Sequence, residues 1–204
     1  MNEIQMGSVE WGVVLQALRG HVESGDQYWV KDVSNGVMIA AIDGLGHGEK
    51  AAQAAKAAVA ELDAHPQEVL PFQFQRCHKR LVGTRGVVMS MASFNLTAHT
   101  LTWLGVGNVH GALFHRNGDG TTRHAALLLR GGTLGYRVPT LRPETHVLSS
   151  GDTLIFVSDG VRSGFSAEVD LTLSPQALAD DIFARYARGT DDTLVLVARY
   201  TRPD

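Results

Sequence analysis

The 204-residue chain has a single cysteine, Cys77, so no internal disulfide can staple its fold. It has no excess of basic charge either. Its 18 lysines and arginines stand against 21 aspartates and glutamates, for a net charge of -3 with histidine neutral. The basic face or stripe that marks a nucleic-acid binder is therefore not expected. No apolar run approaches the roughly 20 residues needed to cross a bilayer. Even the alanine-rich stretch 51–62 is interrupted by Gln53, Lys56 and Glu61. The N-terminus, Met1-Asn2-Glu3-Ile4-Gln5-Met6, lacks a basic region followed by a long apolar core, so a cytoplasmic location is expected. Repeats, low-complexity tracts and linkers are also missing. With 44% apolar residues, the chain reads as one domain, 1–204, around one substantial core.

What is present is a change of periodicity along the chain. Val9, Trp11, Val13 and Leu15 alternate as in a strand, and runs 28–33 and 37–42 bracket a Ser34-Asn35-Gly36 turn, predicting a hairpin. Residues 47–63 are alanine-rich with long polar partners and predict a helix. A second helical stretch, 67–82, follows the His65-Pro66 break. Short β-rich runs then recur at 87–94, 101–106, 109–114, 125–129, 145–148 and 153–157, separated by glycine, asparagine or proline. A last helix is predicted from the Ser174-Pro175 cap through Tyr186, before a final strand at 193–200. Segregated helices and strands imply an α+β fold of antiparallel sheets covered by helices.

Four aspartates lie at the ends of these apolar runs: Asp26 in Ser24-Gly25-Asp26, Asp43 in Ile42-Asp43-Gly44-Leu45-Gly46-His47-Gly48, Asp159 in Val157-Ser158-Asp159-Gly160, and Asp191 in Thr190-Asp191-Asp192-Thr193. Strands ending on one edge would bring such carboxylates together, and hard divalent cations require convergent oxygen ligands. Glycine after Asp43 leaves its own carbonyl uncovered, so the Asp43 carboxylate and the Gly44 carbonyl can face one cation. Each motif alone is also an ordinary turn, since Asp-Gly is a common turn dipeptide. The recurrence at Asp159-Gly160 favours the metal reading.

Three other chemistries fit less well. Cys77-His78-Lys79-Arg80 falls in a helical stretch, where a cysteine nucleophile would need a phosphate-cradling loop, so Cys77 reads as a packing residue. Of nine histidines only His47 falls in a motif, where it supports the loop, and the others show no paired ligand spacing for zinc. The Gly44-Leu45-Gly46-His47-Gly48 turn could instead open a dinucleotide site with Glu61 or Asp63 on the ribose. That reading needs a parallel strand directly after the helix, and His65-Pro66 leads into more helix.

Together, Ser24-Gly25-Asp26, Asp43-Gly44-Leu45-Gly46-His47-Gly48, Gly105-Val106-Gly107-Asn108, Gly151-Asp152 leading to Ser158-Asp159-Gly160, and Asp191-Asp192-Thr193 resemble the metal-dependent serine/threonine phosphatases of the PPM or type 2C family. The likeness covers nearly the whole chain and is greatest for the bacterial branch with SpoIIE, RsbU and RsbX. With no sensor or coiled-coil extension before its first strand, the chain is most similar to the stressosome phosphatases of the RsbX kind. The resemblance implies an αββα sandwich, two antiparallel sheets flanked by helices, with a two-metal centre of Mn2+ or Mg2+. Asp43 would bridge the metals, the Gly44 carbonyl would bind one, Asp159 and Asp191 the other, and Asp26 would bind metal or orient water. It also implies phosphorylated STAS-domain stressosome proteins as partners and substrates. Two departures stand out: Gly25 where larger relatives carry an acid, and His21 near the position of their phosphate-binding arginine. Arg19, Arg76 and Arg85 are the possible substitutes for that arginine. Asp192, which holds its neighbour or coordinates weakly, and Asp152, which shapes the turn before its strand, fall outside the implied ligand set. The resemblance leaves a second reading open, a binding module that keeps the fold without catalysis, and the four retained aspartates argue against it. Phosphoprotein specificity would fall to loops such as 130–143.

Overall fold

The computed structural model describes residues 4–6, 8–116 and 122–202. Two antiparallel sheets form its centre. The first contains β1 (Ile4–Met6), β2 (Val9–Gln16), β11 (Thr193–Tyr200), β10 (Thr153–Val157), β7 (His110–Arg116) and β8 (Thr122–Ala126), in that order across the sheet. The second runs β3 (Asp26–Val33), β4 (Gly36–Gly44), β5 (Val87–Asn95), β6 (Thr100–Val106) and β9 (Glu144–Val147). Helices α1 (Glu49–Ala64) and α2 (Leu70–Arg80) cover the second sheet, and α3 (Pro175–Tyr186) covers the first.

Alternation within single strands builds these layers. Val37, Ile39 and Ala41 of β4 point between the sheets, where they meet Trp103 of β6 and Phe156, Leu196 and Tyr200 of the other sheet. Met38, Ala40 and Ile42 of the same strand point the other way, onto Ala54, Ala58 and Leu62 of α1 and Phe74 of α2. Because both faces are covered, β4 reads in sequence as one continuous apolar run. Likewise β10 sends Leu154 and Phe156 inward and Ile155 and Val157 onto Leu178 and Ile182 of α3. Glycine permits the closest contact: a Cβ on Gly12 of β2 would lie 2.3 Å from the Gln176 amide nitrogen at the start of α3.

Boundaries differ from expectation for local reasons. The first helix begins at Glu49 rather than 47, because Gly46 and Gly48 hold φ of 84° and 75°, outside helical space. The second begins at Leu70, with Pro71 in its first turn, where the missing N–H costs nothing. The strand expected at 125–129 occupies Thr122–Ala126, and β1 was not anticipated. Every pairing between the named strands is antiparallel, and α1 runs into α2 and then β5 beside β4. The βαβ unit that a dinucleotide site needs is therefore not formed around the Gly44–Gly48 turn. No helix among the described residues is long and apolar enough to cross a membrane.

Candidate metal centre

Strand ends bring the four aspartates to one edge of the sandwich. In the β3–β4 register Asp26 stands directly opposite Asp43. In the other sheet Val157 pairs with Val195, so Asp159, just after β10, and Asp191, just before β11, leave the sheet at the same end. The sheets are tied together at this edge. The Ser158 hydroxyl donates to Asp26 Oδ2 at 2.7 Å and accepts the Leu194 N–H at 2.9 Å. The Asp192 carboxylate accepts the Leu18 N–H at 2.7 Å and the Gly25 N–H at 2.8 Å, and the Gly44 N–H reaches the Gly25 carbonyl at 3.0 Å.

Asp43, Asp159 and Asp191 line an open cleft of about 390 Å³, together with the Leu45–His47 turn, Gly107-Asn108 and the 131–133 segment. Asp26 lies beneath them, 2% exposed. Asn108 donates to Asp159 Oδ2 at 3.0 Å, and the Asp191 carboxylate accepts the Asp192 N–H at 2.9 Å.

The electrostatics are unfavourable as they stand. Like charges directly opposite on adjacent strands destabilise a sheet, and Asp26 and Asp43 are such a pair. Burial, then the negative charges of Asp26, Asp159, Asp191 and Asp192, pushes the Asp43 carboxyl up to about 8. Burial also raises Asp26 to about 7; the Ser158 hydrogen bond works against the shift, while Asp192, Asp159 and Asp191 add to it. Asp159 is raised as well, by burial and Asp191, with Asn108, Arg188 and His110 opposing. Oxygen donors that repel one another this way suit a hard divalent cation, whose charge removes the repulsion. Among the described residues no three His, Cys, Asp or Glu side chains stand close enough together to hold an ion as they are.

Residues 34–201 match the family described as stage II sporulation protein E, SpoIIE. The chain belongs to the SpoIIE family. A solved structure described in the words "the bacterial stressosome: a modular system that has been adapted to control secondary messenger signaling" is 31% identical, with a TM-score of 0.83 over 94% of this chain and 99% of that one. RsbX in complex with magnesium is 18% identical, with a TM-score of 0.82 over 98% and 99%. The PP2C phosphatase domain of SpoIIE from Bacillus subtilis is 19% identical, with a TM-score of 0.75 over 96% of this chain and 64% of that one. No curated protein sequence matches the chain. The αββα sandwich expected from the sequence is thus the phosphatase fold of this family.

Within this SpoIIE-family chain, the remaining motif residues fall into place. Gly44 is required for packing, since a Cβ there would lie 2.3 Å from the Ala51 carbonyl oxygen of α1. Gly25 is explained by Asp192: a Cβ on Gly25 would meet Asp192 Oδ2 at 2.9 Å and Ala51 Cβ at 3.0 Å. Asp192 is thus a holder of backbone, in keeping with its place outside the ligand set. Asp152 caps its turn by accepting the Ser149 N–H at 2.9 Å. His47 lies against His21, ring centroids 4.9 Å apart. Arg76 is paired with Glu68 and does not line the cleft, whereas Arg85 reaches the Leu45 carbonyl at 3.4 Å beside the Gly46 turn. Arg19 is exposed and does not line the cleft either. Cys77 is fully buried, its thiol pushed up to about 12 by burial, as a packing residue should be. The roles of Ser158 and Asn108 were missed. Their one signal was position, a polar residue beside a strand-end aspartate and another in the Gly107-Asn108 turn.

Proposed function

We propose that the chain is a serine/threonine phosphoprotein phosphatase, dependent on Mn2+ or Mg2+, that acts on phosphorylated STAS-domain proteins of a stressosome and resets their signal. The observation that carries the reading is the in-register pair Asp26–Asp43 meeting Asp159 and Asp191 at one edge. Asp43, Asp159 and Asp191, the Gly44 carbonyl and the deeper Asp26 would hold two ions. When bound, such ions acidify a water and neutralise the phosphoryl oxygens of an in-line displacement.

The chain's own residues do the positioning. Asn108 fixes Asp159 through one carboxylate oxygen, and Ser158 fixes Asp26 while it anchors the start of β11. The open cleft admits a phosphorylated side chain beside the Leu45–His47 turn. Cys77 is buried away from the cleft, so a thiol nucleophile has no part in the reaction. The substrate assignment draws on the 31% identical stressosome structure and on RsbX.

The test is phosphate release from a phosphorylated STAS-domain protein with and without Mn2+, with an unrelated phosphoprotein as control. Release that persists in Asp43→Asn or Asp159→Asn refutes the assigned site. Equal release from the control removes the substrate assignment. Tight binding without release by the wild type favours a catalytically inactive binding module.

A further inference from the structure

A second groove, of about 200 Å³, shares only Asp159 with the main cleft. Its floor is the buried Phe165, and Arg162, Arg188, Ser163 and Ser166 surround it. The two arginines are not loose surface cations. The Arg162 N–H donates to the Tyr186 carbonyl and the Arg188 N–H to the Gly160 carbonyl, each at 2.8 Å, around a Val161–Ala187 bridge. These bonds hold residues 160–162 and 186–188 side by side, so both arginines leave the backbone at fixed points on the groove wall.

Their side chains differ from that of the neighbouring Arg185. Arg185 is neutralised by Glu168 and Asp181. The Arg162 guanidinium donates to the Arg185 carbonyl and has no ion pair among the described residues. The Arg188 guanidinium has neither hydrogen bond nor ion pair among the described residues, although it and His110 attract Asp159. On a chain of net charge -3, two arginines with no ion pair among the described residues, beside an acidic cleft, form a local reversal of sign.

We propose that this groove is a specificity subsite for an acidic side chain, an aspartate or glutamate flanking the phosphorylated residue of the substrate. The inference rests on the phosphatase reading. The phosphorylated residue itself belongs in the aspartate-lined cleft, where cations meet it. Because the groove adjoins that cleft at Asp159, it receives the next stretch of an extended substrate chain, which advances about 3.3–3.6 Å per residue. Guanidinium presents forked donors that match a carboxylate, and the serine hydroxyls can satisfy the carboxylate's remaining lone pairs. The apolar floor accommodates the methylene stem.

The test uses the full chain with Mn2+ and three substrates: a phosphothreonine peptide with glutamates on both sides, the same peptide with lysines, and para-nitrophenyl phosphate. The wild type is expected to favour the acidic peptide through KM, by roughly fivefold per arginine. Arg162→Glu should reverse the preference while hydrolysis of the small ester stays unchanged, which also shows that the variant folds, and Arg188→Gln should weaken the preference. An unaltered peptide preference in both variants overturns the subsite. A parallel fall in small-ester turnover overturns it too, by placing the arginines at the phosphoryl group. If the wild type hydrolyses none of the three, the phosphatase reading fails, and fluorescence anisotropy of the same peptides decides the groove. Equal affinity for the two peptides then overturns it, and preference for the acidic one supports it.

Discussion

Strand β10 carries an aspartate just beyond each end, and the two are treated in opposite ways. Asp152, fully buried before the strand, accepts the Ser149 N–H on Oδ2, beside which the His115 ring nitrogen lies at 2.9 Å, while its Oδ1 has no hydrogen-bond partner among the described residues. Asp159, after the strand, is exposed to the cleft, where Asn108 bonds one oxygen and Asp43 and Asp191 stand near as like charges. One end has protein partners on one of its two oxygens, and the other stands among like charges at the cleft. That difference separates a carboxylate that shapes a turn from one that the proposed metal site would use, although both flank the same apolar run.

The largest effect expected from breaking the contrast is on the Asp159 side. Asp159→Asn or Asp43→Asn should lower Mn2+-dependent phosphate release at least about 100-fold, the scale of losing one stabiliser of transition-state charge. Melting temperature in metal-free buffer should not fall. Asp152→Asn should do the reverse, leaving kcat near wild type and costing about 1–3 kcal/mol of stability by chemical denaturation.

Next in size is the effect on metal affinity. Ser158→Ala removes the hydroxyl that orients Asp26 and holds Leu194. It should weaken Mn2+ binding by about 10–100-fold in a calorimetric titration, as loss of a partner behind a ligand does. If affinity is unchanged, Asp26 is not part of the metal site.

Acidity gives a subtler separation. Asp26 and Asp43 have folded values of about 7 and 8, raised from 3.8. Between those limits the folded, metal-free protein holds protons that the unfolded chain has released. Its stability is therefore greatest below about pH 4 with respect to these groups, and falls as pH rises toward 8. The melting temperature of chelated protein should trace that decline, Asp43→Asn should flatten it, and Mn2+ should reverse it at pH 8. A flat profile in the chelated wild type contradicts the unpaired-cluster description.

The smallest effect belongs to Asp192, which uses one oxygen for Leu18 and the other for Gly25. Asp192→Asn keeps one acceptor and should cost about 1 kcal/mol in thermal or denaturant unfolding. Activity should change less than in Asp159→Asn, in keeping with a residue that holds the loop under the site.

Much of this was legible because local periodicity follows burial. Both faces of β4 are covered, so Met38 to Ile42 had to be uniformly apolar, and the strand ended visibly where Asp43 reached the cleft. Helix α1 announced itself through alanines at its contact face, small enough for close packing on β4. Ser158 and Asp192 were not legible in the same way, because each acts through a partner far along the chain: Asp26 is 132 residues from Ser158, and Gly25 is 167 from Asp192. Gly25, where larger relatives carry an acid, has its physical reason in the Asp192 carboxylate, which occupies the adjoining space.

The sequence by itself determined the strand-end aspartates, the glycine turn after Asp43, the absence of a competing cysteine chemistry and the alternation that specifies two covered sheets. Those features are set by covalent order and by the two-residue repeat of a strand. Only the tertiary structure decided that Asp26 faces Asp43, that Asp159 joins them while Asp152 lies beside His115, and that Arg162 and Arg188 share a groove at Asp159. Register and sheet-on-sheet packing bring distant residues into one electric field, and the cost of burying like charges together exists only once they meet.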